Sequence, residues 1–502
     1  MKKKIGGFLK AIVFCALTLG MVAGVSKLVE RKESIEKMKP FLDRAGEYDV
    51  LFLGDSIMNT GVFPMEMWEK YGITGYNIAS YGNTLPISYW ALQNALDYAE
   101  PKLVVLDVQG TSKTYKLSGN SSDVHTAFDC YPISRTKIAA LDDLMDDPCA
   151  VDDSGVAYAD MKWEYLFTLG KYHSRWSELT SEDFHPIYNR EKGAKSVMAV
   201  ADAQDYDLID EYRATEENGQ WGFVYLRRII EDCQKRGIDV LLVHLPYPAS
   251  EEQQMDANAV YYIAEEYGVD YIDFVSMDQV ADYATDCFDA HEHLNPSGAK
   301  KVSDYLGRYI SEHYDIADHR GEEKYAAWET DAQTYREKKL ADLGMQTDIE
   351  CVLMLLHDDD FSVEVDIGAG SALFESEKQM TLMQNIAREH VFEEDLFSKW
   401  SNSLFPLEWL EEAAENGQSY RLVVNRGTGV ILEEVGKASE AGVKVTVLDR
   451  DSGTVLLEKE FDENLCLIKL VESNKKASLL GVWNIDKWLF CAGKERIALL
   501  IT

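Results

Sequence analysis

The stretch VLFLGDSIMNTG, residues 50–61, decides how this chain folds. Val50, Leu51, Phe52 and Leu53 suit a strand buried on both faces of a sheet. The apolar run then stops at once in Gly54, Asp55 and Ser56. A strand that ends this way delivers a hydroxyl to the carboxyl edge of a parallel sheet, where open α/β folds place their ligands. Taken alone, glycine, aspartate and serine are also ordinary turn residues. Ser56 becomes a candidate for chemistry only if a partner for it appears elsewhere.

Outward from this stretch, strand and helix signals alternate. MEMWEKYG reads as a short helix stopped by Gly72, and GYNIASYGN as a strand running into a glycine loop. PISYWALQNALDYAEP reads as an amphipathic helix broken at Pro101, and KLVVLDVQG as another buried strand. After a long insertion at about 111–217, rich in Asp, Ser and aromatics, the alternation resumes. GFVYLRRIIEDCQKRG, IDVLLVHLPYP, ANAVYYIAEEYG, VDYIDF and NPSGAKKVSDYLGRYISEHY read as helix, strand, helix, strand, helix. This pattern implies βαβ units and a parallel sheet with helices on both faces over residues 48–316. Residues 317–350 are strongly charged and read as a solvated linker helix. Beyond them, FSVEVDIGAG, SYRLVVNRG, GVKVTVLDRDSGTVLLEKEFD and ERIALLIT are strand signals, with a hairpin turn at Asp451-Ser452-Gly453. Residues 351–502 are expected to form a separate β-rich α+β domain.

The N-terminus, residues 1–28, holds an apolar run long enough to cross roughly 30 Å of hydrocarbon as a helix. A cleaved signal peptide, with Ala23 and Gly24 near the processing site, is the rival to an uncleaved anchor. The anchor is preferred, followed by a juxtamembrane helix at 29–47. A short basic tail that stays inside places the bulk of the chain outside the cytoplasm, at the cell membrane. The formal charge of −37 disfavours nucleic acid as a partner. Outside the anchor an odd number of cysteines remains, with no C-x-x-C spacing, so no metal site of that kind is expected. Cys130 with Cys149, or Cys466 with Cys491, are possible loop closures in an oxidising setting. Asp358, Asp359 and Asp360 lack the spacing of a calcium loop and read as a solvated turn. No cofactor is implied.

The partner for Ser56 comes late. FDAHEHLNPSGAKK follows the strand VDYIDF and precedes the last helix of the α/β domain, which brings His293 to the same sheet edge. A serine hydroxyl is a poor nucleophile at neutral pH until such a base takes its proton. With Gly54-Asp55-Ser56 after the first strand and His293-Leu294-Asn295 before the last helix, the chain resembles the SGNH, or GDSL-type, hydrolases. The resemblance implies a flavodoxin-like sheet, a serine nucleophile and ester chemistry. It also expects an acid three residues before the histidine, where Ala290 stands. Orientation of His293 then falls to Asp289, to Glu292 or to a backbone carbonyl, with Asp289 first. For the oxyanion the resemblance points to the N–H groups of Ser56 and Gly82. The expected Gly-x-Asn-Asp block reads LDVQGTSKT instead, so the amide comes from Asn83 or Gln109, with Asn83 first.

These departures look more like the membrane-anchored relatives that acylate or deacylate wall and capsule polymers than like secreted lipase-type enzymes. YHSRWSEL in the insertion offers His173, Arg175 and Trp176 to grip a sugar or anionic polymer; an amphipathic helix edge with a paired arginine explains the same residues. His125 and His244 read as packing histidines. The tail resembles the interleukin-like EMT inducer domain, which implies carbohydrate binding. The reading is a serine-dependent O-acyl, above all O-acetyl, esterase or acyltransferase on a cell-surface glycan or small ester, with a membrane acyl-transfer partner as a further possibility. The alternative is a catalytically silent glycan-binding or scaffold protein of a membrane polymer-modification complex.

Overall fold

The computed structural model describes residues 2–146, 150–203, 206–213, 220–277, 280–389, 419–425, 429–434 and 442–472. The chain divides into two compact units, one of Met1–Val197, Ala203–Tyr283 and Asp289–Tyr335, the other of Met198–Asp202, Ala284–Phe288 and Arg336–Thr502.

The first unit begins with helix α1 (Lys2–Val29), whose segment Lys10–Val29 is long and apolar enough to cross a membrane. Helix α2 (Lys32–Asp43) follows and buries Met38 and Phe41 against Tyr48 and Tyr76. The sheet is built from β1 (Val50–Leu53), β2 (Gly75–Asn77), β3 (Leu103–Asp107), β4 (Asp239–His244) and β5 (Asp270–Asp273). Their order is β2-β1-β3-β4-β5 and every pairing is parallel. Chain direction across the sheet therefore reverses at β1, and a crevice opens at the carboxyl ends of β1 and β3. All residues of β1 and β3 are buried, as a sheet covered on both faces requires.

Helices α3 (Ser56–Gly61), α4 (Pro64–Tyr71), α5 (Leu85–Ala95), α6 (Trp221–Arg236), α7 (Glu251–Tyr267) and α8 (Pro296–His313) supply the cover. α8 packs on α3 and α4, while α6 packs on α5. Gly72 ends α4 in the left-handed conformation, as its position in the sequence implies. The amphipathic reading of α5 needs correction, since every residue from Leu85 to Ala95 is buried. The insertion explains it. Its helix Arg135–Leu144 covers the outer side of α5, and Asp143 accepts the indole N–H of Trp90 at 2.7 Å.

The charged stretch after the α/β domain is one helix, α9 (Ala326–Met345). It is not a solvated spacer. Trp328, Ala332 and Tyr335 recur at helical spacing and are buried in the core of the first unit. Trp328 packs on Trp68 and Tyr48 with ring centroids 5.0 and 5.8 Å apart, and its N–H reaches Glu47 at 2.9 Å. The apolar residues of this helix are interspersed with charges, so its buried face did not show in the composition.

The second unit holds an antiparallel sheet of β6 (Phe361–Ile367), β7 (Tyr420–Asn425), β8 (Gly429–Glu434), β9 (Val443–Asp449), β10 (Val455–Phe461) and β11 (Leu467–Glu472), in the order β11-β10-β9-β6-β7-β8. The turn at Asp451-Ser452-Gly453 joins β9 to β10, with Gly453 at φ +65°. The strand signal ERIALLIT, Cys149 and Cys491 lie outside the described residues, and with them both candidate disulfides.

Replacing Trp328 by Ala removes a fully buried side chain from the first unit, and such truncations cost about 3–5 kcal/mol. Urea unfolding followed by circular dichroism should show a clearly lower midpoint for Trp328→Ala. A midpoint shift within that of an exposed-site control would contradict this packing role.

Candidate active site

Ser56 opens α3 directly after β1. Asp55 caps that helix, its Oδ1 accepting the Ile57 N–H at 2.9 Å. Gly54 makes the turn possible. A side chain at this position, with φ at +157°, would bring its Cβ to 2.8 Å from the Cβ of Met58 and 2.9 Å from that of Asp107. Only glycine lets the end of β1 approach the end of β3 so closely.

The second contributor is the loop entering α8, which begins at an Asn295 cap that accepts the N–H groups of Ser297 and Gly298. Asp289 closes this loop. Its Oδ1 accepts the N–H groups of His291, Glu292 and His293 at 3.1, 2.9 and 3.2 Å. Its Oδ2 lies 2.6 Å from His293 Nδ1, and His293 Nε2 lies 2.7 Å from Ser56 Oγ. The acid stands four residues before the histidine, one more than the resemblance expects, and the three N–H bonds to one oxygen absorb the extra residue.

The electrostatics fix the tautomer. Partial burial works to raise the Asp289 pKa and is outweighed by the Glu292 N–H, the His293 ring and the His291 N–H, which hold it below the usual carboxylate range. An ionised Asp289 only accepts, so His293 carries its proton on Nδ1 and presents a bare Nε2 to the serine hydroxyl. Beneath the serine the balance is opposite. Burial pushes the Asp55 and Asp107 carboxyls up, helped at Asp55 by the charge of Glu292 and at Asp107 by that of Asp55.

Gly82 and Asn83 lie in the loop after β2. Gly82 has φ +65°, and a Cβ there would strike the Asp123 carboxylate. Asn83 is buried and donates from Nδ2 to the Gly54 carbonyl at 3.3 Å, which ties the glycine loop to the serine turn. One amide hydrogen of Asn83 is thus engaged and a second remains on the nitrogen.

The trio from the insertion is placed differently. Arg175 donates to the Val29 carbonyl at 2.7 Å and to Asp183 at 3.0 Å, while His173 holds the Gly170 carbonyl at 2.8 Å. Trp176 is exposed. Arg175 thus braces the end of α1, and no described contact joins the three to Ser56. His244 pairs with Asp273 at 2.8 Å and with the Tyr247 hydroxyl at 3.2 Å, and His125 pairs with Asp129 and stacks on Tyr165, as packing histidines. In the second unit Asp358, Asp359 and Asp360 draw together, but the Lys339 ammonium sits among them, 2.9 Å from Asp358 and bonded to Asp360.

Sequence reasoning missed two residues. Asp107 is an acid at the very end of a buried strand, the same signal that marked Asp55. Lys37 of α2 donates to Asn59 Oδ1 at 2.6 Å and to the Ala79 carbonyl, so it bridges α3 and the loop after β2. Burial pushes its ammonium down to about 7.

No family model and no curated protein matches the chain. Among solved structures, a protein assigned as an acylhydrolase from Bacteroides fragilis NCTC 9343 aligns at 11% identity over 56% of this chain and 98% of its own, with a TM-score of 0.27. An acetyl xylan esterase from the rumen bacterium Butyrivibrio proteoclasticus aligns at 10% identity over 53% of this chain and 64% of its own, with a TM-score of 0.22.

The raised Asp55 pKa sets a stability prediction. A folded state that holds protons the unfolded chain has released loses stability as pH rises above the ordinary carboxylate range. Asp55→Asn keeps an oxygen for the Ile57 N–H and removes the buried charge. Thermal unfolding at a series of pH values should show the variant gaining on the parent from acid toward neutral pH. A difference that is constant with pH would refute the assignment.

Proposed function

We propose that the chain is a serine-dependent ester hydrolase or acyltransferase of SGNH type, acting on O-acyl groups, above all O-acetyl, of a cell-surface glycan. The observation that supports this reading is the unbroken line Ser56–His293–Asp289, with contacts of 2.7 and 2.6 Å. The parallel sheet order β2-β1-β3-β4-β5 supports the flavodoxin-like assignment, because it puts both loops at the crevice where such sheets bind ligands.

In the proposed reaction Ser56 Oγ attacks the ester carbonyl as His293 Nε2 takes its proton. Asp289 holds the ring and stabilises the imidazolium without accepting the proton itself. The N–H groups of Ser56 and Gly82, with the free amide hydrogen of Asn83, donate to the carbonyl oxygen as it becomes an anion. The C–O bond to the sugar breaks, the sugar oxygen takes the proton from His293, and the acyl group stays on Ser56. A water molecule or a second sugar hydroxyl then attacks the acyl carbon as His293 takes its proton, the bond to Ser56 Oγ breaks, and His293 returns the proton to Oγ, so that the same machinery serves hydrolysis or transfer. α1 anchors the enzyme, with the α/β unit outside the cytoplasm, near an acyl donor or acceptor in the same membrane. The second unit serves as a glycan-recognising accessory domain.

The full chain in detergent should be labelled by a fluorophosphonate probe and should hydrolyse p-nitrophenyl acetate. Ser56→Ala should lose both. Asp289→Asn, which favours the wrong histidine tautomer, should lower kcat by up to about 10⁴-fold. A parent chain with neither labelling nor turnover at any pH would point instead to the silent glycan-binding scaffold.

A further inference from the structure

From the outer end of α1 we infer that the insertion carries an aromatic collar that seats on the lipid bilayer. The inference rests on α1 as the membrane anchor and adds to it a second, peripheral contact made by the folded unit.

Three short elements of the insertion, Leu169–Tyr172, the 3-10 turn His173–Ser177 and Ser181–Phe184, pack on α1, and helix Tyr158–Leu166 packs on the first of them. Thr168 bonds Ser26 side chain to side chain at 3.1 Å. Arg175 donates to the Val29 carbonyl at 2.7 Å and binds Asp183 at 3.0 Å, and Asp183 also faces Lys32 at 3.8 Å. These contacts grip residues 26–32, while residues 10–21 of α1 are exposed.

Large apolar side chains flank this grip and point away from the core. Trp163 is 75% exposed, Phe167 51%, Trp176 72% and Phe184 58%. Phe167 precedes Thr168, Trp176 follows Arg175 and Phe184 follows Asp183, each adjacent in the chain to a residue of the grip. Trp163 lies one helical turn before Phe167, whose N–H it accepts at 2.8 Å. Isolated exposed apolar residues need no explanation, but four large ones around one helix end do.

Depth supplies the occupant. Twenty residues from Lys10 to Val29 rise about 30 Å, one hydrocarbon thickness, so a spanning α1 puts Val29 at the headgroup boundary. Tryptophan is favoured at that level, where its apolar ring meets acyl chains and the indole N–H meets carbonyls and water, and phenylalanine belongs to the apolar face by which interfacial segments sit in the bilayer. The collar also gives the brace at Arg175 a purpose, since its bonds to the Val29 carbonyl and to Asp183 tie Trp176 and Phe184 to the end of α1.

The test uses the full chain in phosphatidylcholine vesicles whose acyl chains carry bromine either close to the headgroup or near the chain end. Resistance to alkaline carbonate extraction reports separately on whether α1 spans. Shallow bromine should quench a fraction of the tryptophan emission that deep bromine spares, and Trp163→Phe with Trp176→Phe should lose that fraction. Carbonate resistance with identical quenching in parent and double variant overturns the collar alone. Extraction by carbonate overturns the anchor, and the collar with it.

Discussion

A parallel sheet covered on both faces leaves polar side chains one place to go, the ends of its strands, and this constraint shapes the first unit. β1 runs into Asp55, β2 ends in Asn77, β3 in Asp107, β4 in His244 and β5 in Asp273. Each needs partners, since a buried polar group without them costs several kcal/mol. Asn77 donates to the carbonyls of Met58 and Val62 and accepts the Ala79 N–H, which pins the loops after β1 and β2 together. His244 and Asp273 satisfy each other, with Tyr247 beside them. Asp55 and Asp107 are buried, and burial, with like charge beside them, pushes both carboxyls up. The serine turn therefore rests on a floor of buried polar groups at the strand ends.

The parts of the site legible in the sequence are those fixed by chain order. Ser56 follows a strand too apolar to be anything but buried, and His293 precedes a helix with a clear proline start. A parallel sheet sends both to one edge whatever lies between them. Asp289 was harder to read because a single inserted residue breaks the expected spacing, and only the three N–H bonds to its Oδ1 show how the loop closes around it.

What could not be read depends on contacts across the fold. Lys37 looks like any charged residue on a helix face until its ammonium is found among oxygens of α3 and the β2 loop. Trp328 hides because the apolar residues of α9 are scattered among charges and leave a weak periodicity. The stretch around Arg175 has the composition of a substrate grip, but its guanidinium is spent on a backbone carbonyl and a carboxylate at the end of α1. Composition gives residue types, and only the fold says which of their bonds are already taken.

The bridge made by Lys37 has a consequence for reach. α2 begins three residues after α1 ends, and Lys37 lies in its second turn, eight residues beyond Val29. A serine strapped this closely to α1 has no leash. A long flexible tether would let it sweep a hemisphere and meet polymer well above the surface. On the proposed function, Ser56 is instead confined to a thin layer beside the membrane, and its substrate has to come to that layer.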